Sequence, residues 1–294
     1  MQRATRIPIA GVHSPVYHVS DTSSTLDLAA SLLADTTTAT PHLTTIIADR
    51  QSAGRGRLGR TWTTPDGQAL LASTIVSLPT SFPTEMLGWL VHACALSVRD
   101  ALSPHLSPLG HTVSLKWPND VLVDGARKIC GILAQLAPAS SPFTTSAILG
   151  YGINIAQDCD HLATPQATSL YAEGDAEAGA DPTSVSHTLL AQILTGLDSR
   201  IRGLVTHGNA RDCGLADEAA NALPLLGTRI ALAKPTDPNG HPAMEGVALG
   251  LSPTGSLLVA TDDGRTHDIN AGDVLATGIP LTTVHDTKEK RANN

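Results

Sequence analysis

The chain has 294 residues, of which 41% are hydrophobic and 16% charged, with a formal charge of −8 and an isoelectric point near 5.8. Such a length accommodates two domains or one large domain with an appendage, and the acidic balance argues against general nucleic-acid binding. No apolar run approaches the roughly 20 residues of a membrane span, no signal peptide opens the chain, and Cys94, Cys130, Cys159 and Cys213 form no CxxC pair. Neither a zinc site nor a disulfide framework is indicated, and a cytoplasmic location is expected.

Residues 1–14 show no sustained period and read as a loosely held tail. The stretch 16–19 predicts a short strand. Ser23 or Ser24 then caps a helix whose apolar face is Leu26, Ala29, Ala30 and Leu33. Residues 43–48 predict a strand that leads into the segment 51–62, and 69–78 a buried strand beyond it. The stretch 85–102 has helical period through Leu87, Leu90, Val91, Cys94, Val98 and Leu102, and a proline-bearing break at 103–111 ends it. Strands are expected over 113–117, 121–123, 128–136 and 146–155, with Asp124-Gly125 as a hairpin signal. Residues 156–183 read as loop. Helical period returns at Leu189, Leu190, Ile193, Leu197 and Ile201, followed by a less regular helix over 210–222. From 227 to 278 the texture changes to short strands (229–232, 247–251, 257–260, 267–269) between glycine turns, a small β-barrel-like module. The residues beyond 282 read as a polar tail.

The segment 51–62 reads Gln-Ser-Ala-Gly-Arg-Gly-Arg-Leu-Gly-Arg-Thr-Trp, with Arg50 just upstream. Glycines let a backbone come close to a ligand, and guanidinium groups grip phosphate or carboxylate oxygens through paired hydrogen bonds. The loop looks built to wrap a small anion. Gly54-Arg-Gly56-Arg-Leu-Gly59 also fits the dinucleotide fingerprint G-x-G-x-x-G, but the residues after it open no helix and no acidic residue follows between Gly67 and Thr84. An Arg/Gly RNA-binding tract would be basic and repetitive, and here the motif occurs once. A merely solvated surface loop remains the plain alternative.

Lysine is scarce, five in the chain, and two of the five, Lys116 and Lys128, flank one predicted hairpin. A lysine in an apolar strand needs an anion or a path to water. Lys116 fits a strand end whose ammonium reaches solvent; Lys128, followed by Ile-Cys-Gly-Ile-Leu, fits that less comfortably. Asn119 and Asp120 offer oxygens to a magnesium ion and its phosphates, although both are also ordinary turn formers.

These motifs together resemble the biotin–protein ligase family: Gly-Arg-Gly-Arg-Leu-Gly-Arg-Thr-Trp at 54–62, Lys-Trp-Pro-Asn-Asp at 116–120, Lys-Ile-Cys-Gly-Ile-Leu at 128–133, Gly-Tyr-Gly-Ile-Asn at 150–154 and the pair Ser24-Thr25. The resemblance implies an α/β (α+β) fold: a mixed-sheet catalytic domain over 15–223, then a small SH3-like β-barrel over 224–280, with flexible tails at 1–14 and 283–294. It implies ATP-dependent activation of biotin to biotinyl-5′-AMP and transfer to a lysine of the biotin carboxyl-carrier domain of an acyl-CoA or pyruvate carboxylase, with ATP as co-substrate and Mg²⁺ as metal. Ser24, Thr25, Gln51, Gly54, Arg55, Lys128, Gly131 and Gly152 would hold biotin. Arg57, Arg60, Trp62, Lys116, Asn119 and Asn154 would hold ATP or the adenylate. Arg55, Arg57, Lys128 and Asp120 would be catalytic, with Asp120 accepting the proton of the attacking amine, and Asn119 and Asp120 would serve the metal. Leu26 stands where the family commonly has Asn. The residues before Val16 are too few for the DNA-binding domain of some relatives, so no nucleic acid or membrane partner is expected, and the protein should be a monomer or weak homodimer. A lipoate or octanoate ligase or transferase of the same fold, and a non-catalytic adaptor, are the alternatives. The pairing of Trp62 with Lys-Trp-Pro-Asn-Asp disfavours the first, and the retained arginine cluster the second.

Overall fold

Apolar runs bounded by turn residues become strands, and stretches of helical period become helices, in a computed structural model that describes residues 4–35, 37–141, 144–233 and 242–279. In chain order the first region comprises β1 (Thr5–Ile7), β2 (Val16–Thr22), α1 (Thr25–Ala34), β3 (Thr45–Gln51), β4 (Ala69–Pro79), α2 (Gly88–Leu106), β5 (Val113–Lys116), β6 (Asp120–Val123), β7 (Arg127–Ser141) and β8 (Thr144–Asn154). Then come α3 (Ala176–Ala180), α4 (Pro182–His207) and α5 (Leu215–Asn221), and finally β9 (Arg229–Ala233), β10 (Pro242–Leu251), β11 (Leu257–Ala260), β12 (Thr266–Ile269) and β13 (Asp273–Ile279).

The first eight strands form one mixed sheet in the order β1-β2-β3-β4-β8-β7-β6-β5. Only the β2–β3 pair is parallel, because α1 carries the chain across one face between them. At the centre β4 pairs with β8 from Ala69↔Asn154 to Pro79↔Thr144. Both strands are buried almost throughout, as the central strands of a sheet are. Asp124 and Gly125 take φ of 50° and 68°, the left-handed pair of a tight turn closed by Ala126 N–H to Val123 O in the three-residue loop between β6 and β7.

The two faces are covered unequally. On one, α2 and α4 bury a continuous core that includes Trp89, Leu90, Leu96, Leu102, Leu189, Ile193 and Leu197. Each such side chain removed from water contributes about 1.5–3 kcal/mol. On the other, α1 lays Leu26, Ala29 and Leu33 on Ile46, Ile75 and Ile148. One short helix cannot roof an eight-stranded sheet. The remainder of that face is the floor of a cleft.

The last five strands form an antiparallel sheet in the order β12-β11-β10-β9-β13, the SH3-like unit. It docks on the start of α2 through two buried polar groups. The Trp89 indole N–H donates to Pro253 O and the His92 Nε2–H to Gly255 O, each at 2.8 Å. Burial lowers the His92 pKa, which keeps the imidazole neutral at this junction.

Several sequence expectations need correction. Residues 1–14 are not simply a tail, because Thr5–Ile7 pair with Val16–His18 as the sheet edge and Ile9 is buried. The helix at 85–102 continues through Pro104 to Leu106, and β7 extends to Ser141. The barrel gains β13, which the glycine-turn pattern does not reveal. The expected tail at 283–294 lies outside the described residues.

A Cβ built on Gly88 would lie 2.5 Å from Thr254 O, so the barrel sits against bare backbone. Gly88→Ala should therefore destabilise the protein by about 1–3 kcal/mol in urea melts. Gly203→Ala, whose Cβ meets only Cys213 Cβ at 3.4 Å, should leave stability unchanged or raise it.

Candidate functional site

The arginine-glycine loop leaves the end of β3 and folds back over the uncovered sheet face. Two backbone bonds close it, Gly56 N–H to Arg60 O at 2.7 Å and Trp62 N–H to Gly54 O at 2.9 Å. A side chain on Gly54 would collide with Trp62 O. Beneath the loop, Gly131 of β7 and Gly152 of β8 are register partners facing the cleft. A Cβ on Gly152 would come within 2.5 Å of the Trp62 ring, and one on Gly131 within 3.0 Å. The two glycines thus make a flat bed for one indole.

Trp62 lines both a small pocket of about 30 Å³ and a cleft of about 390 Å³ and stands between them. Ser24, Thr25, Leu26, Gln51, Gly150, Tyr151 and Gly152 line the small pocket. Ser24 occupies the N-cap position of α1, yet its hydroxyl makes no cap bond and is buried without a partner. The backbone N–H and the hydroxyl of Thr25 both donate to Gln51 Oε1, at 2.8 and 3.1 Å. That fixes the Gln51 amide with its NH₂ facing Gly54. An idle buried hydroxyl costs about 1–3 kcal/mol, so this corner is poised for a polar ligand. Leu26 contributes no hydrogen-bonding group here and packs on Gly150.

The larger cleft gathers the cations. Arg55, Arg57, Arg60, Lys116 and Lys128 line it, together with Asn119, Asp120, Asn154 and Asp273. Lys128 Nζ lies 2.7 Å from Asp120 Oδ1 and 5.6 Å from the Trp62 ring centroid, an ion pair backed by a cation–π contact. Arg57 is largely buried and reaches Asn119 Oδ1 at 3.2 Å, Gly272 O at 3.3 Å and Asp273 Oδ1 at 3.6 Å. Burial lowers the Arg57 pKa, and Asp273 and Asp120 oppose that shift. Arg60 also pairs with Asp273, and Arg55 pairs with Asp27 of α1 at 2.5 Å.

Every residue expected from the sequence falls in or beside these two spaces, but four differ from expectation. Arg55 turns outward to Asp27 and is half exposed. The Asn154 side chain is buried with its amide committed, donating to Thr168 O at 2.8 Å and accepting from Gln157. It braces a loop at the wall of the cleft. Asn119 and Asp120 do not form a magnesium cradle: Asn119 Oδ1 faces the Arg57 guanidinium, its NH₂ donates to Ile132 O at 2.7 Å, and Asp120 faces an ammonium. Oxygens already turned to cations are poor ligands for a divalent ion.

The sequence reading misses Asp27, Asp273 and the cleft-lining stretch 163–167. Asp27 sits two residues after Ser24-Thr25 and Asp273 follows Gly272 at the head of β13, positions that signal nothing until the chain is folded.

Residues 20–154 match the Biotin/lipoate A/B protein ligase family, and 236–275 match the Biotin protein ligase C terminal domain. The biotin–[acetyl-CoA-carboxylase] ligase of Mycobacterium tuberculosis is 34% identical over 230 residues, which is 78% of this chain and 77% of that protein. The chain belongs to the biotin–protein ligase family. A ligase of the same name from Paracoccus denitrificans is 30% identical over 75% of this chain and 85% of its own length. The solved structure of the biotin protein ligase from Aquifex aeolicus in complex with biotin and ATP superposes with a TM-score of 0.63, covering 90% of this chain and 98% of that one. At 24% identity it attests the shared fold, the mixed sheet followed by the SH3-like unit. Among the described residues, no helix of this family member is long and apolar enough to cross a membrane.

Gly152→Ala should push Trp62 off its bed. Trp89 and Trp117 are buried elsewhere, with 1% and 2% of their surface exposed, so a rise in acrylamide quenching reports Trp62. Unchanged quenching would mean that the indole does not rest on the glycines.

Proposed function

We propose that this chain is an ATP-dependent biotin–protein ligase. It activates biotin to biotinyl-5′-AMP and transfers it to a lysine of a carboxyl-carrier domain of an acyl-CoA or pyruvate carboxylase in the cytoplasm. The observation that carries the reading is the divided cleft: a small polar pocket on one side of Trp62 and a cation-lined space that includes Lys128 on the other, with Arg55, Trp62 and Leu133 lining both. Family membership and a relative crystallised with biotin and ATP support it.

In this reading Ser24, Thr25 and Gln51 receive the polar ureido ring over Gly152, and the unpartnered Ser24 hydroxyl gains a bond. Biotin swells the 30 Å³ pocket by displacing side chains around it. Its carboxylate then points along Trp62 toward Lys128. On the far side, Arg57, Arg60 and Lys116 hold the triphosphate, with adenine against the exposed indole face. The carboxylate oxygen attacks the α-phosphorus as the bond to the β-phosphate oxygen breaks, and pyrophosphate leaves. Two anions must meet for this step, so the chief contribution is positive charge held in place before they arrive. In the second step the neutral amine of the acceptor lysine attacks the acyl carbon, the acyl–phosphate bond breaks and AMP leaves. Asp120 lies where that amine would arrive and takes its proton once Lys128 has turned to the phosphates. A Mg²⁺ ion carried on the triphosphate would add positive charge there, and Asn119 and Asp120, already bonded to Arg57 and Lys128, would not be its ligands.

A lipoyl or octanoyl ligase needs a long apolar slot. Here the space beyond the glycine bed closes on Ser24, Thr25 and Gln51, polar groups that a hydrocarbon chain would leave unsatisfied.

Incubation with biotin and ATP should yield biotinyl-AMP and pyrophosphate, and no pyrophosphate release with either biotin or lipoate would sink the reading. Arg57→Ala and Lys128→Ala should each slow single-turnover adenylation by on the order of 10²-fold. Lys128→Arg should rescue poorly, because a planar fork does not replace a compact ammonium.

A further inference from the structure

Resting on the ligase reading, we propose that the half-buried ion pair Arg127–Glu173 is a positioning device for Lys128, acting through the segment 166–168 that lies against it.

Lys128 begins an apolar strand, and its main chain is held from outside the sheet. Its N–H donates to Gln166 O at 2.7 Å and its carbonyl accepts from Thr168 N–H at 2.8 Å. That segment belongs to the irregular stretch between β8 and α3, and its neighbours Ala163, Thr164 and Ala167 line the larger cleft. Irregular backbone holds a fixed shape only where side chains tie it down.

The tie is Glu173. Its side chain is 6% exposed and accepts from Arg127 Nε and Nη2 at 2.5 and 2.8 Å, the bidentate fork. The Thr168 hydroxyl donates to the same carboxylate at 2.6 Å. Arg127 immediately precedes Lys128, so a ring of bonds encloses the Lys128 peptide. It runs from the Arg127 side chain to Glu173, on to the Thr168 side chain, and back through Thr168 N–H to Lys128 O. Asp124 at the hairpin turn fixes the other edge of Arg127 at 2.7 Å and takes the His111 ring at 2.8 Å.

Two other readings of this cluster fail on the same contacts. His111, Asp124 and Glu173 bring ligand atoms close enough for a metal, but the Arg127 guanidinium already bonds both carboxylates and a divalent ion would meet its charge. As a mere fold stabiliser, an ion pair whose arginine is this open to solvent is a weak choice beside apolar packing. Burial would raise the Glu173 pKa, yet bonds from Arg127 and Thr168 outweigh it and hold the group ionised. A charged pair gives what apolar packing does not: a fixed direction. It sets the strand register from which the Lys128 ammonium reaches Asp120 and the cleft.

The test compares Glu173→Ala and Arg127→Lys with wild type in biotinyl-AMP synthesis. A lysine in place of Arg127 keeps the charge and loses the fork. Both variants should lower kcat for adenylation about 10- to 100-fold, as loss of groups supporting a reactive centre does. The KM for biotin should stay within about twofold, because the Ser24–Gln51 pocket lies across Trp62 and the fork bears on transition-state contacts. Reductive methylation of Lys128 in the ligand-free protein, read by mass spectrometry, should be several-fold faster in both variants as its grip on Asp120 loosens. Should Glu173→Ala not fold, the isosteric Glu173→Gln takes its place. Wild-type kcat and wild-type labelling in the variants overturn the proposal. So does a rise in KM for biotin matching the fall in kcat, which would mark general loosening. A wild-type protein that makes no biotinyl-AMP sinks the ligase reading instead, and the labelling comparison then decides the role of the pair by itself.

Discussion

Crowding of like charge is the constraint on which this cleft depends. Arg55, Arg57, Arg60, Lys116 and Lys128 border one space in a protein whose net charge is −8. Partly buried cations cannot share a cleft without anions beside them. The fold supplies those anions from separate elements: Asp27 from α1, Asp120 from the β5–β6 turn and Asp273 from β13. In the reading proposed above, an anionic substrate takes over cations from these carboxylates, so that binding is an exchange of counter-ions, with much smaller reorganisation than creating a charged site from neutral surroundings.

The architecture follows from that exchange. A sheet with one face half roofed gives a floor, two facing glycines give a bed, and the indole on the bed divides the space by chemistry. The barrel is part of the site because Asp273 comes from its first residue after Gly272. Its docking on bare backbone at Gly88 and on the buried Trp89 and His92 fixes where that carboxylate stands.

Local chemistry made much of this readable. The Asp124-Gly125 hairpin, the helical periods of α2 and α4, and the arginine-glycine loop are written in adjacent residues, and so is the clustering of Lys116, Asn119, Asp120 and Lys128 about one turn. The partners were not readable. Arg60 and Asp273 are far apart in the chain, and nothing near either residue names the other. β1 is three residues of mixed polarity whose strand character comes only from the edge it joins. Ser24 misled in an instructive way: it has the residue type and position of a helix cap, while its hydroxyl is held in reserve. Asn154 carries a different lesson, since a motif residue at the wall of the cleft also braces a loop through Thr168 O, which its sequence context does not announce.

The pairing of β4 with β8 has a consequence for how the molecule is made. β4 ends at Pro79, and the strand that covers its second edge is complete only at Asn154. A nascent chain therefore emerges with an almost wholly apolar strand, Ala69–Pro79, paired to β3 on one side and bare on the other. Through the synthesis of α2 and two hairpins, that bare edge is open to any passing strand, including another copy of itself. Pairings of such long sequence separation also form slowly. The late arrival of β8 makes the middle of this sheet the vulnerable moment of biogenesis, and overexpression at lowered temperature or with a holdase chaperone acts on that interval.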